Sequence, residues 1–197
     1  MRLFYSKASP FARKVRASAI LLGLDRQIEL VETNPFADPT SLLEANPLGL
    51  IPTLVTEDGS SFFDSRVICE YLNDVATGLP IIPPAGATRW MALRLQGLGD
   101  GLMDAAVLRR KLAALTDSAD QPLAQRQKAV IARTLDALET QPLTQHVDIG
   151  HIAVACALGY LDFRFPDEPW RPSRPALAAW FVAAQAEHYL QATRPEI

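Results

Sequence analysis

Short runs in which apolar and polar residues alternate occur only in the first third of the chain. They are RLFY at 2–5, IELVET at 28–33, PTLVT at 52–56 and SSFFD at 60–64, and each reads as a strand. Glu57, Asp58 and Gly59 separate the last two and give a hairpin turn signal. Between the first two strands the period changes. Over 10–22, Val15, Ser18, Ala19 and Leu22 fall on one helical face, and Arg13, Lys14 and Arg16 fall largely off it. Gly23 follows as a C-cap candidate. Strand, helix and strand within about thirty residues form a βαβ unit, which predicts that the first two strands are parallel.

A second short helix fits DPTSLLEAN at 38–46, ended by Pro47 and Gly49. A third starts after Asp64 and Ser65, with Val67, Ile68, Tyr71, Leu72 and Val75 as its apolar stripe. The stretch TGLPIIPPAG at 77–86 holds three prolines and two glycines, which no regular element survives. Beyond it only helical spacing recurs, at about 88–115, 122–140, 148–163 and 175–190. The second of these carries Val130, Ala132, Leu135 and Leu138 in rough helical spacing and stops at Pro142, while Pro172 and Pro175 break the chain before the last. The expected architecture is α/β plus all-α: a first domain over 1–78 in the order βαβαββα, a linker over 79–86, and a wholly helical domain over 87–197.

Composition narrows the chemistry. An apolar fraction of 49%, a charged fraction of 21% and a net charge of −3 over 197 residues are globular values with no electrostatic case for nucleic acid. Cys69, in VICEYL, and Cys156, in IAVACALGYL, read as small core residues. His146, His151 and His188 show no metal-ligand spacing, so no metal is expected. The start, MRLFYSKASP, lacks the apolar core of a secretory signal, and the longest apolar run, 152–161, is far short of the ~20 residues that span a bilayer. The cytoplasm is the expected compartment.

Three stretches in the first domain could carry chemistry. Ser9 and Pro10 are helix-start residues, a hydroxyl cap followed by proline at the first helical position. The same hydroxyl stands at the positive end of a helix, where an anion is stabilised. In NPLGLIPTL, 46–54, proline stands at a strand start, and an Ile51–Pro52 bond in the cis form would turn the backbone of residue 51 toward a ligand. Asp64 and Ser65 are a second cap pair at a helix start. Each stretch alone has a plain structural reading.

Together, SPFARKVR, NPLGLIPTL and FFDSRVICEYL at these separations, followed by an all-helical domain, resemble the cytosolic glutathione transferases. The resemblance covers essentially the whole chain and is to bacterial members with serine in the SPF motif. It implies a thioredoxin-like first domain that binds glutathione, with Pro52 as the cis proline. It implies that the Ile51 backbone, beside Leu50, pairs with the cysteinyl part, that Asp64 and Ser65 hold the γ-glutamyl end, and that Phe11 packs beside the ligand. Ser9 would donate to the glutathione thiolate.

Tyr5 is the rival to Ser9, because many members of the superfamily use a tyrosine near the end of the first strand; here it reads as a packing residue four positions before the cap. No cysteine stands near position 9, which speaks against thiol exchange through the protein's own sulfur. The resemblance also implies a homodimer with the helix from about Thr88 along the twofold axis. It implies, too, an electrophile pocket between domains, for which Met103, Ala106 and Arg109 are candidates by helical spacing. DIGHIAVACALGYLDF, 148–163, matches the family's buried helix, with Asp148 at the cap and His151 where an aspartate usually stands. The leading function is attack of the glutathione thiolate on a small electrophile. Reduction of disulfides or peroxides on the same fold, and a non-catalytic protein-binding module, are the alternatives.

Overall fold

The computed structural model describes residues 1–114, 121–144 and 147–196; His146 and the end of the helix expected to reach 115 lie outside them. The first half holds β1 (Arg2–Tyr5), α1 (Pro10–Leu21), β2 (Glu29–Glu32), α2 (Thr40–Ala45), β3 (Thr53–Val55), β4 (Ser61–Phe62) and α3 (Ser65–Val75). Short 3-10 turns at Asp25–Gln27 and Pro35–Ala37 are additions that apolar periodicity does not announce. The sheet order is β2-β1-β3-β4, with β1 and β2 parallel and the other pairs antiparallel. The second half holds α4 (Gly86–Ala113), α5 (Gln121–Thr140), α6 (Ile149–Arg164), α7 (Pro175–Ala184) and α8 (His188–Gln191). The helix expected over 175–190 is therefore two helices, separated at residues 185–187.

Helix α1 ends as the sequence reading requires. Gly23 has φ +70°, its N–H donates to Ile20 and the N–H of Leu24 reaches back to Ala19 at 2.8 Å. This is a Schellman closure, which a residue without Cβ enters at no steric cost. The apolar face is also as expected, with Val15, Ser18, Ala19 and Leu22 all buried. The opposite face is not solvated, however. Lys14 is fully buried and Arg13 is 5% exposed, because the helical domain covers that side of α1. Arg13 Nη2 donates to the Leu190 carbonyl at 3.1 Å.

Lys14 Nζ meets Asp100 of α4 at 2.6 Å, and Arg66 of α3 donates from Nε to the other oxygen of Asp100 at 2.7 Å. One carboxylate thus ties two helices of the first domain to the second.

On α3 the buried set is Ser65, Ile68, Cys69 and Leu72. Val67 and Val75, expected in the stripe, are exposed, and Tyr71 stacks on Phe62 with ring centroids 4.3 Å apart. The segment between domains is pinned, not loose. Ile81 and Ile82 are buried, the Ile82 N–H donates to Asn73 Oδ1 at 2.9 Å, and Ile149 N–H donates to the Ile81 carbonyl at 2.8 Å.

Helix α6 is buried from Ile149 through Leu158 and forms the centre of the helical domain. It packs on α4 so closely that a Cβ on Gly99 would lie 2.6 Å from the Ala153 carbonyl carbon. Cys156 sits inside this layer, and burial pushes its thiol pKa up to about 11; Cys69 is buried likewise, and both are free.

The start of α6 does not form a reciprocal capping box. Asp148 Oδ1 accepts from the N–H groups of Gly150 and His151 at 2.9 and 3.0 Å, and the His151 ring reaches the same oxygen at 2.7 Å. Desolvation alone would raise the Asp148 pKa, but the His151 contacts and the two backbone donors outweigh it and hold the carboxyl below its ordinary value. A carboxylate with a lowered folded-state pKa stabilises above its unfolded value and loses that contribution as pH falls through the folded one. Asp148→Ala is accordingly expected to cost about 0.5–2 kcal/mol at pH 7. The gap in urea midpoint between the two proteins should then narrow as pH falls below ~4. A gap that stays constant from pH 7 to 3 would contradict this role.

Candidate functional site

Helix α1 follows the C-terminal end of β1, so its N-terminus opens at the end of an inner strand of the sheet. Ser9 is its N-cap in extended conformation, with Oγ accepting from the Ala12 N–H at 3.2 Å and Pro10 at the first helical position. This bond uses an oxygen lone pair and leaves the hydroxyl hydrogen free to donate. Capping and ligand binding are therefore compatible in one side chain.

Ser9 lies on the wall of a cleft of ≈ 810 Å³ between the two domains. Phe11, Leu50 and Ile51 line the same cleft. Neither the N–H nor the C=O of Ile51 has a hydrogen-bond partner among the described residues. The Ile51–Pro52 peptide is cis, and Pro52 is buried beneath the wall rather than on it. Tyr5 does not reach the cleft; it is buried in β1 with the Arg16 guanidinium 5.1 Å from its ring centre.

The loop that presents Leu50 and Ile51 is held by a residue that the sequence reading passed over. Asn46, 1% exposed, donates from Nδ2 to the Leu50 carbonyl and to Thr53 Oγ1, both at 3.0 Å, and its Oδ1 accepts from the Leu48 N–H at 3.0 Å. The available signal was an asparagine directly before proline, a pairing common in turns.

Asp64 and Ser65 stand apart from the cleft wall. Asp64 caps α3, its Oδ1 accepting from the Arg66 N–H at 2.8 Å, and the buried Ser65 hydroxyl makes no hydrogen bond among the described residues. They adjoin the cleft through Arg66 and Asp100, one turn before Asp104 on α4. Asp104 does line the cleft, and its carboxyl is raised above the usual range first by desolvation and then by the Asp100 charge.

The α4 wall corrects the expectation for the electrophile pocket. Met103 and Ala106 are buried against the core, and Arg109 turns to Glu168 and lies 4.5 Å over the Phe165 ring. The cleft is lined instead by Asp104, Val107, Arg110 and Lys111. One position along a helix turns the side chain by about 100°, so choosing the more apolar stripe selected the face that packs on α6.

Helix α6 adds Tyr160 and Arg164, which no sequence motif suggested. Burial raises the Tyr160 hydroxyl pKa. The positive charges of Arg164 and Arg110 act in the opposite direction. Among the described residues no group of His, Cys, Asp and Glu could hold a metal ion, and no helix is long and apolar enough to cross a membrane.

Residues 8–75 match the family described as glutathione S-transferase, N-terminal domain, and residues 121–183 match glutathione S-transferase, C-terminal domain. The chain is 36% identical over 185 residues to the uncharacterized GST-like protein YibF of Escherichia coli (strain K12), covering 90% of each protein. A glutathione transferase family member from Pseudomonas fluorescens Pf-5, solved with bound glutathione, superposes with a TM-score of 0.94 at 41% identity. That match covers 100% of this chain and 99% of the other. A second structure from that organism holds S-(propanoic acid)-glutathione and matches at a TM-score of 0.89 and 40% identity, over 99% of each chain.

Proposed function

This chain belongs to the glutathione S-transferase family, and from that premise we propose that it is a glutathione transferase whose Ser9 stabilises the thiolate for attack on a small electrophile. The observation that carries the proposal is the Ser9 hydroxyl at the N-terminus of α1, on the wall of the cleft that also holds the unpaired backbone of Ile51. A free thiol with pKa ~8.5 is only a few per cent ionised at neutral pH. A hydrogen bond to a charged acceptor contributes ~1.5–3 kcal/mol, and each pKa unit corresponds to ~1.4 kcal/mol. The hydroxyl together with the positive helix end could lower the thiol pKa by roughly one to two units. Ser9 acts here as a donor, not as a covalent nucleophile.

In this reading the Ile51 N–H and C=O pair with the cysteinyl backbone, Leu50 and Phe11 flank it, and cis Pro52 supports the loop from below. Asp64 meets the γ-glutamyl ammonium, and the Ser65 hydroxyl with the α3 N-terminus meets the γ-glutamyl carboxylate. The glutathione bound in the Pseudomonas relative supports glutathione as the ligand. The S-(propanoic acid)-glutathione of the second structure, a glutathione bearing a group on sulfur, is of the product class proposed for this chain. Val67 on α3 and Trp90 and Met91 on α4, large apolar side chains left exposed, support the homodimer. The cytoplasm remains the proposed compartment.

Glutathione at a hundredfold above its Kd is expected to add ~2.7 kcal/mol to stability, a rise in Tm of roughly 5–10 °C for a chain of this size. Conjugation of 1-chloro-2,4-dinitrobenzene, followed by absorbance, is the parallel assay. Absence of both shift and turnover would return the chain to the class of protein-binding modules.

A further inference from the structure

The cleft wall opposite Ser9's helix carries cationic groups with no carboxylate to meet. Tyr160 and Arg164 are four residues apart on α6 and so share a face, and Arg110 comes to the same place from α4. All three line the same cleft, and the Tyr160 hydroxyl lies within the field of both arginine charges. Arg164 Nε is shut off from solvent and has no hydrogen-bond partner, and its guanidinium carbon lies 4.3 Å from the centre of the Phe163 ring.

Neighbouring arginines are satisfied: Arg109 and Lys128 share Glu168, and Arg66 is bound to Asp100. Arg110 and Arg164 have no ion pair among the described residues. The two carboxylates on the cleft belong to other surroundings. Asp104 interacts with Asp100, Arg66, Lys14 and Asp64, and Glu32 with Lys7 and Arg16. A partly desolvated guanidinium without an acceptor is unfavourable, and a planar carboxylate is the group its donors fit best.

We infer, resting on the transferase reading, that the electrophilic co-substrate carries a carboxylate, which Arg110 and Arg164 bind with the Tyr160 hydroxyl as a third donor, while its reactive carbon faces the thiolate at Ser9. A tyrosine hydroxyl, ordinarily titrating near ~10, is protonated and a donor at neutral pH, and burial moves Tyr160 further in that direction. A cleft of ≈ 810 Å³ is within the range that holds a ligand of drug-like size or larger. For a benzylic chloride of this class, the thiol proton goes to solvent and a sulfur lone pair forms the new C–S bond. The C–Cl bond breaks and chloride leaves with its electron pair.

A matched pair isolates the charge: 4-(chloromethyl)benzoate and 4-nitrobenzyl chloride, in which nitro is a neutral replacement of the same shape as carboxylate. Each enzymatic kcat/KM is divided by the spontaneous rate with glutathione. The corresponding conjugates, S-(4-carboxybenzyl)- and S-(4-nitrobenzyl)glutathione, are compared for binding by calorimetry. The carboxylate should be favoured by about ten- to a hundredfold in both readouts, the range of a charge-assisted hydrogen bond. The ratio should fall toward unity in Arg164→Met and in the more exposed Arg110→Met, and Arg164→Lys should recover part of it.

A ratio near unity in the wild type, or one that neither arginine variant alters, overturns the inference. A carboxylate preference in binding without turnover of either chloride supports the anion site and removes the catalytic reading. Failure of both conjugates and of glutathione itself to bind overturns the transferase reading and the inference with it.

Discussion

Asp100→Ala is expected to destabilise the protein by about 3–5 kcal/mol, the range for removing one partner of a buried ion pair. The reason is what the substitution leaves behind. Lys14 is fully buried, its ammonium 2.6 Å from Asp100, and among the described residues no other carboxylate pairs with it. Without Asp100 the lysine must remain as an uncompensated buried charge, lose its proton, or pull α1 away from α4. Arg66 would lose its partner too, but its side chain is half exposed and water replaces much of that bond. The larger loss therefore lies with Lys14. A double variant, Lys14→Met with Asp100→Leu, should recover much of the stability, since an apolar pair of similar volume can be neutral or better than a buried ion pair. Urea unfolding measures both. If Asp100→Ala lowers stability by less than ~1 kcal/mol, within the range of a surface salt bridge, the junction does not depend on this network.

Ser9→Ala should lower turnover with glutathione by roughly ten- to a hundredfold at neutral pH, since one to two pKa units of the bound thiol are at stake. The deficit should shrink as pH rises past ~8.5, where the thiol ionises unaided. Affinity for glutathione should change less, because Ile51, Asp64 and Ser65 hold the remainder of the molecule in the proposed arrangement. Ser9 Oγ also caps α1 through the Ala12 N–H, so the alanine variant is expected to lose ~0.5–2 kcal/mol of stability as well. Ser9→Gly separates the two roles. Glycine at an N-cap costs only a few tenths of a kcal/mol, yet it removes the donor as completely as alanine does. Turnover per folded molecule should fall alike in both variants. Rate profiles against pH that superimpose on wild type would reduce Ser9 to a cap and move attention to Tyr5, which is buried away from the cleft.

Most features governed by near neighbours were legible in the sequence. The strand and helix order of the first domain, the parallel pairing of β1 and β2, the Ser9, Asp64 and Asp148 caps and the Schellman end at Gly23 all follow from local hydrogen-bonding needs and side-chain period. Ser9, Phe11, Leu50 and Ile51, which come from two separate segments, do line one cleft, while Asp64 and Ser65 are not on its wall. Which second face of each helix is covered depends on packing partners far away in the chain. Lys14 and Arg13 fall off the apolar face in the sequence, and their burial depends on distant helices, α4 for Lys14 and α6 and α8 for Arg13. Met103 and Ala106 read as pocket residues and are core, whereas Arg110, Tyr160 and Arg164 face the cleft. Hydrophobic period identifies the stripe that must leave water, but a helix between two layers has two such contacts, and a polar side chain can satisfy one of them by pairing. Asp100 supplies that pairing from another domain, and no local pattern around Lys14 encodes it.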